Sequence, residues 1–195
     1  MTSYRLYHSL RLLLIRSAFK KAEYLKKHQI LGGIGENCRW GPWLLPVYPE
    51  LIKLHDNVVV HKKALLVPHD ILNRFLKNTY PDSDFGHYEK IGCIELMDNV
   101  YIAANVTVMA NVRINRNCII SAGSVVASDI PENSIASGIP AKPVGNFEMF
   151  AALRKMGKGQ TVEFKNQFLP KNLVDTEWEK FEKRHSSSVK FEKNK

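Results

Sequence analysis

Cysteine is scarce in this sequence and is never spaced as it is in a metal site. The 195 residues include three cysteines, Cys38, Cys93 and Cys118, which lie far apart. Zinc sites commonly use CxxC pairs, and small disulfide-stabilised domains use an even number of cysteines. We therefore expect neither a metal site nor a disulfide framework, and the composition fits a reducing cytoplasm.

Long hydrophobic runs are also missing. The apolar stretch at residues 10–15 is interrupted by Arg11 and followed by Arg16. A membrane-spanning helix needs about 20 apolar residues, and a signal peptide needs a small-residue cleavage site after its apolar stretch. We expect neither, so the sequence predicts a cytoplasmic protein.

Acidic residues are absent from the N-terminal segment before Glu23, whereas the chain as a whole carries 28 Lys and Arg against 19 Asp and Glu, a formal charge of +9. The central segment is close to charge balance, and the excess lies in the N-terminal segment and the tail. A nucleic-acid-binding protein would concentrate cations where its function lies, so we expect no nucleic-acid partner.

A six-residue repeat organises the chain. Aliphatic residues recur at every sixth position, and a second series of apolar or small residues lies four positions after each of them. The first series is Leu96, Ile102, Val108, Ile114, Ile120 and Val126, and the second is Val100, Val106, Val112, Cys118, Ser124 and Ile130. Neither a helix nor a single strand has a period of six, so the pattern predicts a solenoid.

Each hexad is interpreted as a short strand and a corner, and three consecutive hexads as one triangular coil. Asn or Gly falls at a fixed phase, as expected for corners with a left-handed backbone. The corners are Asp98-Asn99, Ala104-Asn105, Ala110-Asn111, Arg116-Asn117 and Ala122-Gly123, with an earlier one at Asn57.

The repeat begins near residue 30 and is interrupted at about residues 71–90, where charged and polar residues occupy positions that should be buried. We expect an excursion loop there, inside a solenoid domain at residues 30–145. Residues 1–29 predict one basic amphipathic helix, continuous to about Lys27, that caps the solenoid, and docking on an anionic membrane surface is a second role for it. Residues 146–195 predict a helical extension at 171–184 followed by a disordered tail.

Three motifs carry a family resemblance: residues 120–126 (ISAGSVV), 129–131 (DIP) and 137–142 (SGIPAK). They closely resemble the hexapeptide-repeat acyltransferases, which include maltose, galactoside and serine acetyltransferases. Residues 66–71 (LVPHDI), followed by an excursion and then 90–96 (KIGCIEL), look most like the bacterial capsular and exopolysaccharide O-acetyltransferases.

The resemblance implies an all-β fold, a left-handed parallel β-helix, that forms a homotrimer and uses acetyl-CoA as co-substrate without a metal. It implies that His69 is the general base, a role that suits imidazole at neutral pH. Asp70 either orients the His69 ring or forms the turn. The residues matching the family's coenzyme contacts are Ala104, Ala122, Ala127, Ser128 and Lys142. Ala104 and Ala122 are also three hexads apart, which stacks them at one corner of consecutive coils.

The sequence departs from the family pattern in two ways. The glycine that usually follows the first aliphatic residue of each hexad is replaced by Met97, Ala103, Met109, Asn115 and Ser121. Pro68 precedes the histidine where the family usually has Thr or Ser. A catalytically inactive β-helix scaffold is therefore kept as an alternative.

For the acceptor we expect a sugar hydroxyl of an exopolysaccharide or its precursor, with aromatic surface from Trp40, Trp43 and Tyr48. A nucleotide amino sugar or a small xenobiotic are the alternatives. The γ-type carbonic anhydrases share the solenoid and bind zinc through three histidines. The spacing of His55, His61, His69 and His87 does not match that pattern.

Overall fold

The structure is a computed structural model that describes residues 2–86, 88–156 and 169–192, with side chains described to residue 185. The chain divides into two units, Met1–Met156 and Gly157–Lys195. The first unit contains the solenoid and the second contains one described helix.

The helices and strands of the described residues follow the chain in this order. The helices are α1 (Ser3–Leu14), α2 (Ala18–Lys27), α3 (Leu72–Thr79), α4 (Phe147–Met156) and α5 (Lys171–Glu192). The strands are β1 (Gly33–Ile34), β2 (Arg39–Trp40), β3 (Ile52–Leu54), β4 (Val59–Val60), β5 (Leu65–Val67), β6 (His69–Asp70), β7 (Lys90–Ile91), β8 (Ile94–Leu96), β9 (Val100–Ile102), β10 (Thr107–Met109), β11 (Val112–Ile114), β12 (Cys118–Ile120), β13 (Val125–Val126), β14 (Ser134–Gly138) and β15 (Ala141–Asn146).

Thirteen of the strands belong to three sheets that the chain visits in rotation, and β6 and β7 form a separate pair. The first sheet has the order β1-β3-β8-β11, the second β15-β14-β12-β9-β4-β2, and the third β13-β10-β5. From β8 to β13, partners on neighbouring parallel strands are three hexads apart, as in Val100 with Cys118 and Ile94 with Val112. This register of 18 residues is consistent with the predicted coil of three hexads.

The two repeated series form the core. All twelve members are at most 2% exposed, and Leu54, Val60 and Leu66 continue the first series upstream. Because alternate residues of a strand point to opposite faces, the residue between two buried positions points outward in β3, β8, β9, β11 and β12, whereas the central residue is the buried one in β5 and β10. The burial confirms the predicted phase of the repeat.

The corners adopt the predicted left-handed backbone. Asn57, Asn99, Asn117 and Asn133 have φ values between +56° and +59°, and their side chains form a continuous ladder. The amide Nδ2 of each of the first three donates to Oδ1 of the next, at 2.8, 2.8 and 2.9 Å. Asparagine therefore both tolerates this backbone and links one coil to the next.

Two segments depart from the regular coil. Residues 41–51 replace the strand that the first coil would add to the third sheet, and they include Tyr48 with a left-handed backbone (φ 53°). The excursion leaves the coil after Val67, contains α3, and returns to the first sheet at Ile94. At its base, β6 pairs antiparallel with β7, with His69 opposite Ile91.

The N-terminal segment forms two helices, which corrects the prediction of one continuous helix. Residues 15–17 break it, and the Ser17 hydroxyl accepts a hydrogen bond from the Lys20 amide as the N-cap of α2. Leu12 of α1 and Leu25 of α2 are fully buried in the same apolar cluster as Trp40 and Leu45. The break lets both helices pack on the first coil and cover its core.

The unit at residues 157–195 contains α5. This helix extends to Glu192, beyond the predicted end at residue 184 and into the segment predicted to be disordered, and residues 193–195 lie outside the described part. No glycine or proline occurs after Pro170 to stop the helix. Trp178 and Phe181 contact each other edge to face at 5.5 Å.

No helix within the described residues is long and apolar enough to cross a bilayer.

The asparagine ladder generates a stability prediction. Asn117→Ala puts alanine, which has no side-chain amide to form a local hydrogen bond, at a left-handed backbone position with φ 56°. It also removes the two ladder hydrogen bonds of Asn117. We expect the free energy of unfolding, measured by chemical denaturation, to fall by roughly 1–3 kcal/mol. Asn117→Gly tolerates the backbone and loses only the ladder, so its loss should be smaller. Equal stability of the alanine variant and the wild type would contradict the role of the ladder.

Candidate functional site

His69 lies where the third sheet ends and the excursion begins. It follows β5 and Pro68, and its backbone pairs with Ile91 on the returning chain, so both ends of the excursion hold it in place. Its Nδ1 atom is buried and has no hydrogen-bond partner among the described residues. A buried polar atom without a partner is uncommon and marks this imidazole as a candidate for function.

Tyr48 contacts the His69 ring. The ring centroids are 5.5 Å apart and the planes nearly perpendicular, the edge-to-face arrangement that aromatic rings favour. The Tyr48 hydroxyl donates to Glu89 Oε2 at 2.8 Å, and this hydrogen bond, together with burial, raises the pKa of the tyrosine. The irregular segment 41–51 and the returning end of the excursion therefore meet beside His69.

Asp70 has a turn-forming role. Its Oδ1 atom accepts a hydrogen bond from the Leu72 amide at 3.1 Å, at the start of α3. Of the two roles left open for Asp70, this contact supports the turn.

A cavity of about 620 Å³ opens beside Tyr48. It lies between the N-terminal end of α1 and the irregular segment, and it carries charged, amide and aromatic groups. Its lining includes Tyr4, Arg5, Gln29, Val47, Tyr48 and Glu50. Tyr48 lines this cavity and also contacts the His69 ring, so it connects the two.

The sequence did not predict that Arg5 and Glu50 line the cavity or that Glu89 binds the Tyr48 hydroxyl. Arg5 is positioned by a 2.7 Å hydrogen bond from Nε to the Leu45 carbonyl. These residues lie in segments that do not repeat, so the six-residue pattern carries no signal for them.

The predicted coenzyme residues lie along the third sheet. Ala127 and Ser128 are exposed and follow β13, and His69 follows β5. They therefore lie along the same edge of the third sheet, the one formed by the C-terminal ends of its strands, with β10 between β13 and β5. Neighbouring strands are about 4.8 Å apart, which separates the two positions by roughly 10 Å. Ala104 and Ala122 lie at the opposite edge, where the Gly123 amide donates to the Ala104 carbonyl at 2.9 Å.

Lys142 is exposed on β15, which forms an antiparallel hairpin with β14 and pairs Lys142 with Ser137. The amide of Gly138 donates to the Ser124 hydroxyl at 3.2 Å. This bond places the hairpin beside the Ala122-Gly123 corner. The structure therefore brings Lys142 close to the Ala104 and Ala122 edge of the sheet, and His69 close to the Ala127 and Ser128 edge.

The aromatic prediction needs a correction. Trp40 is 0% exposed, so it cannot offer a surface to a sugar ring. It lies at a core phase of the repeat, and α1 and α2 close the end of the coil over it. Trp43 is 46% exposed, and Tyr48 lines the large cavity, so these two remain available.

Two histidines that were compared with the zinc ligands, His55 and His61, contact other groups. His55 Nε2 lies 2.9 Å from Glu95 Oε1, and Arg113 donates to the other oxygen of that carboxylate. These hydrogen bonds lower the pKa of Glu95. His61 Nδ1 accepts from the Lys63 amide, and His87 lies outside the described residues. Among the described residues, no three His, Cys, Asp or Glu side chains converge on a metal-sized site.

Comparison with known proteins agrees with this geometry. The family described as bacterial transferase hexapeptide (six repeats) matches residues 94–128, the most regular part of the coil. The repeats of this segment are therefore similar to the hexapeptide repeats of that family. A Schizosaccharomyces pombe protein whose name proposes acetyltransferase activity is 46% identical over 55 residues. That match spans 28% of this chain and 27% of the relative, about a quarter of its length.

Solved structures share the fold. A hexapeptide-repeat acetyltransferase of Vibrio cholerae, in complex with acetyl-CoA, superposes with a TM-score of 0.56 at 16% identity, covering 74% of this chain and 86% of that one. A maltose O-acetyltransferase of Clostridium difficile gives 0.51 at 20% identity, covering 73% and 84%. A galactoside acetyltransferase in complex with coenzyme A gives 0.51 at 20% identity, covering 85% and 92%.

Proposed function

We propose that this protein is an acetyl-CoA-dependent O-acetyltransferase with His69 as the general base. The observation that carries the proposal is the position of His69, which lies at the sheet edge shared with Ala127 and Ser128 and contacts the Tyr48 ring that lines the large cavity. The similar folds belong to proteins named as acetyltransferases, two of them in complex with acetyl-CoA or coenzyme A. A donor groove on one side and an acceptor cavity on the other suit a transfer reaction.

In the proposed reaction, His69 accepts the proton of an acceptor hydroxyl as the oxygen attacks the acetyl carbonyl. The carbon–sulfur bond of the thioester breaks, and the imidazolium returns its proton to the departing thiolate. The products are an O-acetyl ester and free coenzyme A, so protons and electrons balance. A positioned base of this kind contributes on the order of 10²–10⁴ in rate.

Coenzyme A would lie along the groove bordered by Ala104, Ala122, Ala127 and Ser128. Small side chains at these corners leave space for the pantetheine arm against the backbone. Lys142 stands beside the Ala122 corner, where an ammonium group can pair with the coenzyme's phosphates. Hydrolysis of the same thioester is limited if the excursion covers the groove.

We further propose a left-handed coil and a homotrimer, as the family resemblance implies. The outward residues of the first sheet are charged, including Lys53, Glu95 and Arg113. Those of the second and third sheets are largely apolar. They include Val59, Tyr101, Ile119, Leu65 and Val125. Exposed apolar residues of the excursion, among them Phe75, also favour burial against a second copy.

The roles of His69 and Lys142 can be separated kinetically. His69→Ala should lower acetyl transfer by about 10²–10⁴ while calorimetric binding of acetyl-CoA is retained, because the imidazole acts on the acceptor proton. Lys142→Ala should raise the KM for acetyl-CoA with a smaller effect on kcat. His61→Ala is the matched control, since that imidazole lies outside the site.

Full turnover by His69→Ala would contradict the assignment and move the base to His87. Absence of both turnover and acetyl-CoA binding in the wild type would favour an inactive scaffold.

The oligomeric state follows from the apolar faces. We expect light scattering at micromolar concentration to give a mass near three times 22.3 kDa. A monomer under those conditions would contradict both the trimer and a site shared between subunits.

For the acceptor we propose a sugar hydroxyl of an exopolysaccharide or its precursor. The cavity beside Tyr48 combines aromatic rings with Arg5, Gln29 and Glu50, which can hydrogen-bond to hydroxyl groups. Trp43 offers a further exposed ring. A nucleotide amino sugar or a small xenobiotic is the second candidate, since the same groups can bind either.

The acceptor can be tested in the source organism by deleting the gene and recording NMR spectra of its polysaccharide. We expect the O-acetyl signals to disappear and to return with a plasmid carrying the wild-type gene but not His69→Ala. Unchanged O-acetyl signals in the deletion strain would contradict the polysaccharide acceptor and favour a small molecule.

A further inference from the structure

Helix α1 is apolar on two opposite faces. One face carries Leu12, which is fully buried in the core together with residues of the first coil. The other face carries Leu6, Leu10, Leu13 and Leu14, spaced at three and four residues as on one side of a helix, and all four are exposed. Leu14 reaches 76% exposure and Leu13 53%.

This exposed face extends beyond four leucines. Tyr7 is also exposed and borders the same side of α1. Capping of the solenoid needs only the opposite face, so capping gives no reason for these residues to be apolar. Contiguous exposed apolar surface of this kind usually binds something.

The charge around this face is of one sign. No acidic residue occurs before Glu23, whereas Arg16 and Lys20 are exposed and directly follow the leucines in the chain. Three other cations are held by partners: Lys21 donates to the Gly41 carbonyl at 3.2 Å, Arg5 to the Leu45 carbonyl, and Arg11 hydrogen-bonds to Tyr24. Arg16 and Lys20 therefore form a cationic rim at the C-terminal end of the apolar face.

We propose that the outer face of α1 docks on an anionic membrane surface, with Leu6, Leu10, Leu13 and Leu14 inserted and the cationic rim at the headgroups. A bilayer interface offers apolar depth and negative charge together, which matches both features of this surface. A second copy of the same face would bring cation against cation. The helix has 12 residues, about 18 Å, so it lies in the interface and does not span the bilayer.

Docking would also place the large cavity near the membrane. Thr2, Tyr4 and Arg5 at the N-terminal end of α1 line that cavity. One helix therefore contributes both to the docking surface and to the proposed acceptor site, which suits an acceptor carried on a lipid.

The docking is tested by flotation of the full chain with vesicles of phosphatidylcholine mixed with phosphatidylglycerol, compared with vesicles of phosphatidylcholine alone. We expect binding to the anionic vesicles that weakens as salt is raised, because salt screens the cationic rim. The double variant Leu10→Glu, Leu14→Glu should bind at least about tenfold more weakly, since it puts two charges into the apolar face. The double variant Arg16→Gln, Lys20→Gln should lose part of the preference for anionic lipid.

The matched control is Leu153→Glu, which changes a comparably exposed leucine on α4. It should bind like the wild type, and circular dichroism should show that every variant is folded. Absence of wild-type flotation, or an equal loss in Leu153→Glu, would overturn the proposal. A further outcome is that the wild type does not float but forms larger oligomers, which the Leu10→Glu, Leu14→Glu variant does not form. That result would overturn the proposal and show that the face binds a second copy.

Acetyl transfer to a soluble sugar acceptor separates this inference from the proposed function. The α1 variants should keep the wild-type kcat with that acceptor, because Leu10 and Leu14 lie on the side of the helix away from the core. Loss of flotation with unchanged transfer supports docking, whatever the natural acceptor proves to be.

Discussion

The left-handed backbone at the regular corners is the constraint on which this structure depends. A coil closes after three hexads only if the chain turns sharply between strands, and five asparagines and Gly123 supply a left-handed residue at one phase of the repeat: Asn57, Asn99, Asn105, Asn111, Asn117 and Gly123. Closure then puts each strand beside its counterpart one coil away. The parallel hydrogen bonds, the buried aliphatic columns and the Asn57–Asn99–Asn117–Asn133 ladder all follow from this stacking.

Stacking also determines where chemistry can be placed. Residues that follow the strands of one sheet are aligned along one edge, which puts His69 and the Ala127-Ser128 pair on a common border although they are distant in sequence. Ala127 and Ser128 are small, exposed side chains at this border. The side chains beside His69 come from interruptions of the repeat, since Tyr48 and Glu89 belong to the two segments that leave the coil.

The N-terminal helices connect the end of the solenoid to the site. Their inner faces close the first coil over Trp40, which explains why that ring is unavailable to a ligand. The same packing positions Arg5 beside residues 45–50, at the cavity next to Tyr48. A single element thus stabilises the core and forms a wall of the proposed acceptor site.

The sequence by itself determined the repeat, its buried phase and its corners, because each depends on local spacing and on the conformational range of asparagine and glycine. The resemblance of its motifs to the hexapeptide-repeat acyltransferases led to the prediction that His69 is the general base. Only the tertiary structure decided what surrounds that histidine. The break at residues 15–17, the burial of Trp40, and the meeting of Tyr48 with Glu89 depend on contacts between segments that are distant in the chain. Such contacts leave no periodic signal, since each is made once and is decided by packing.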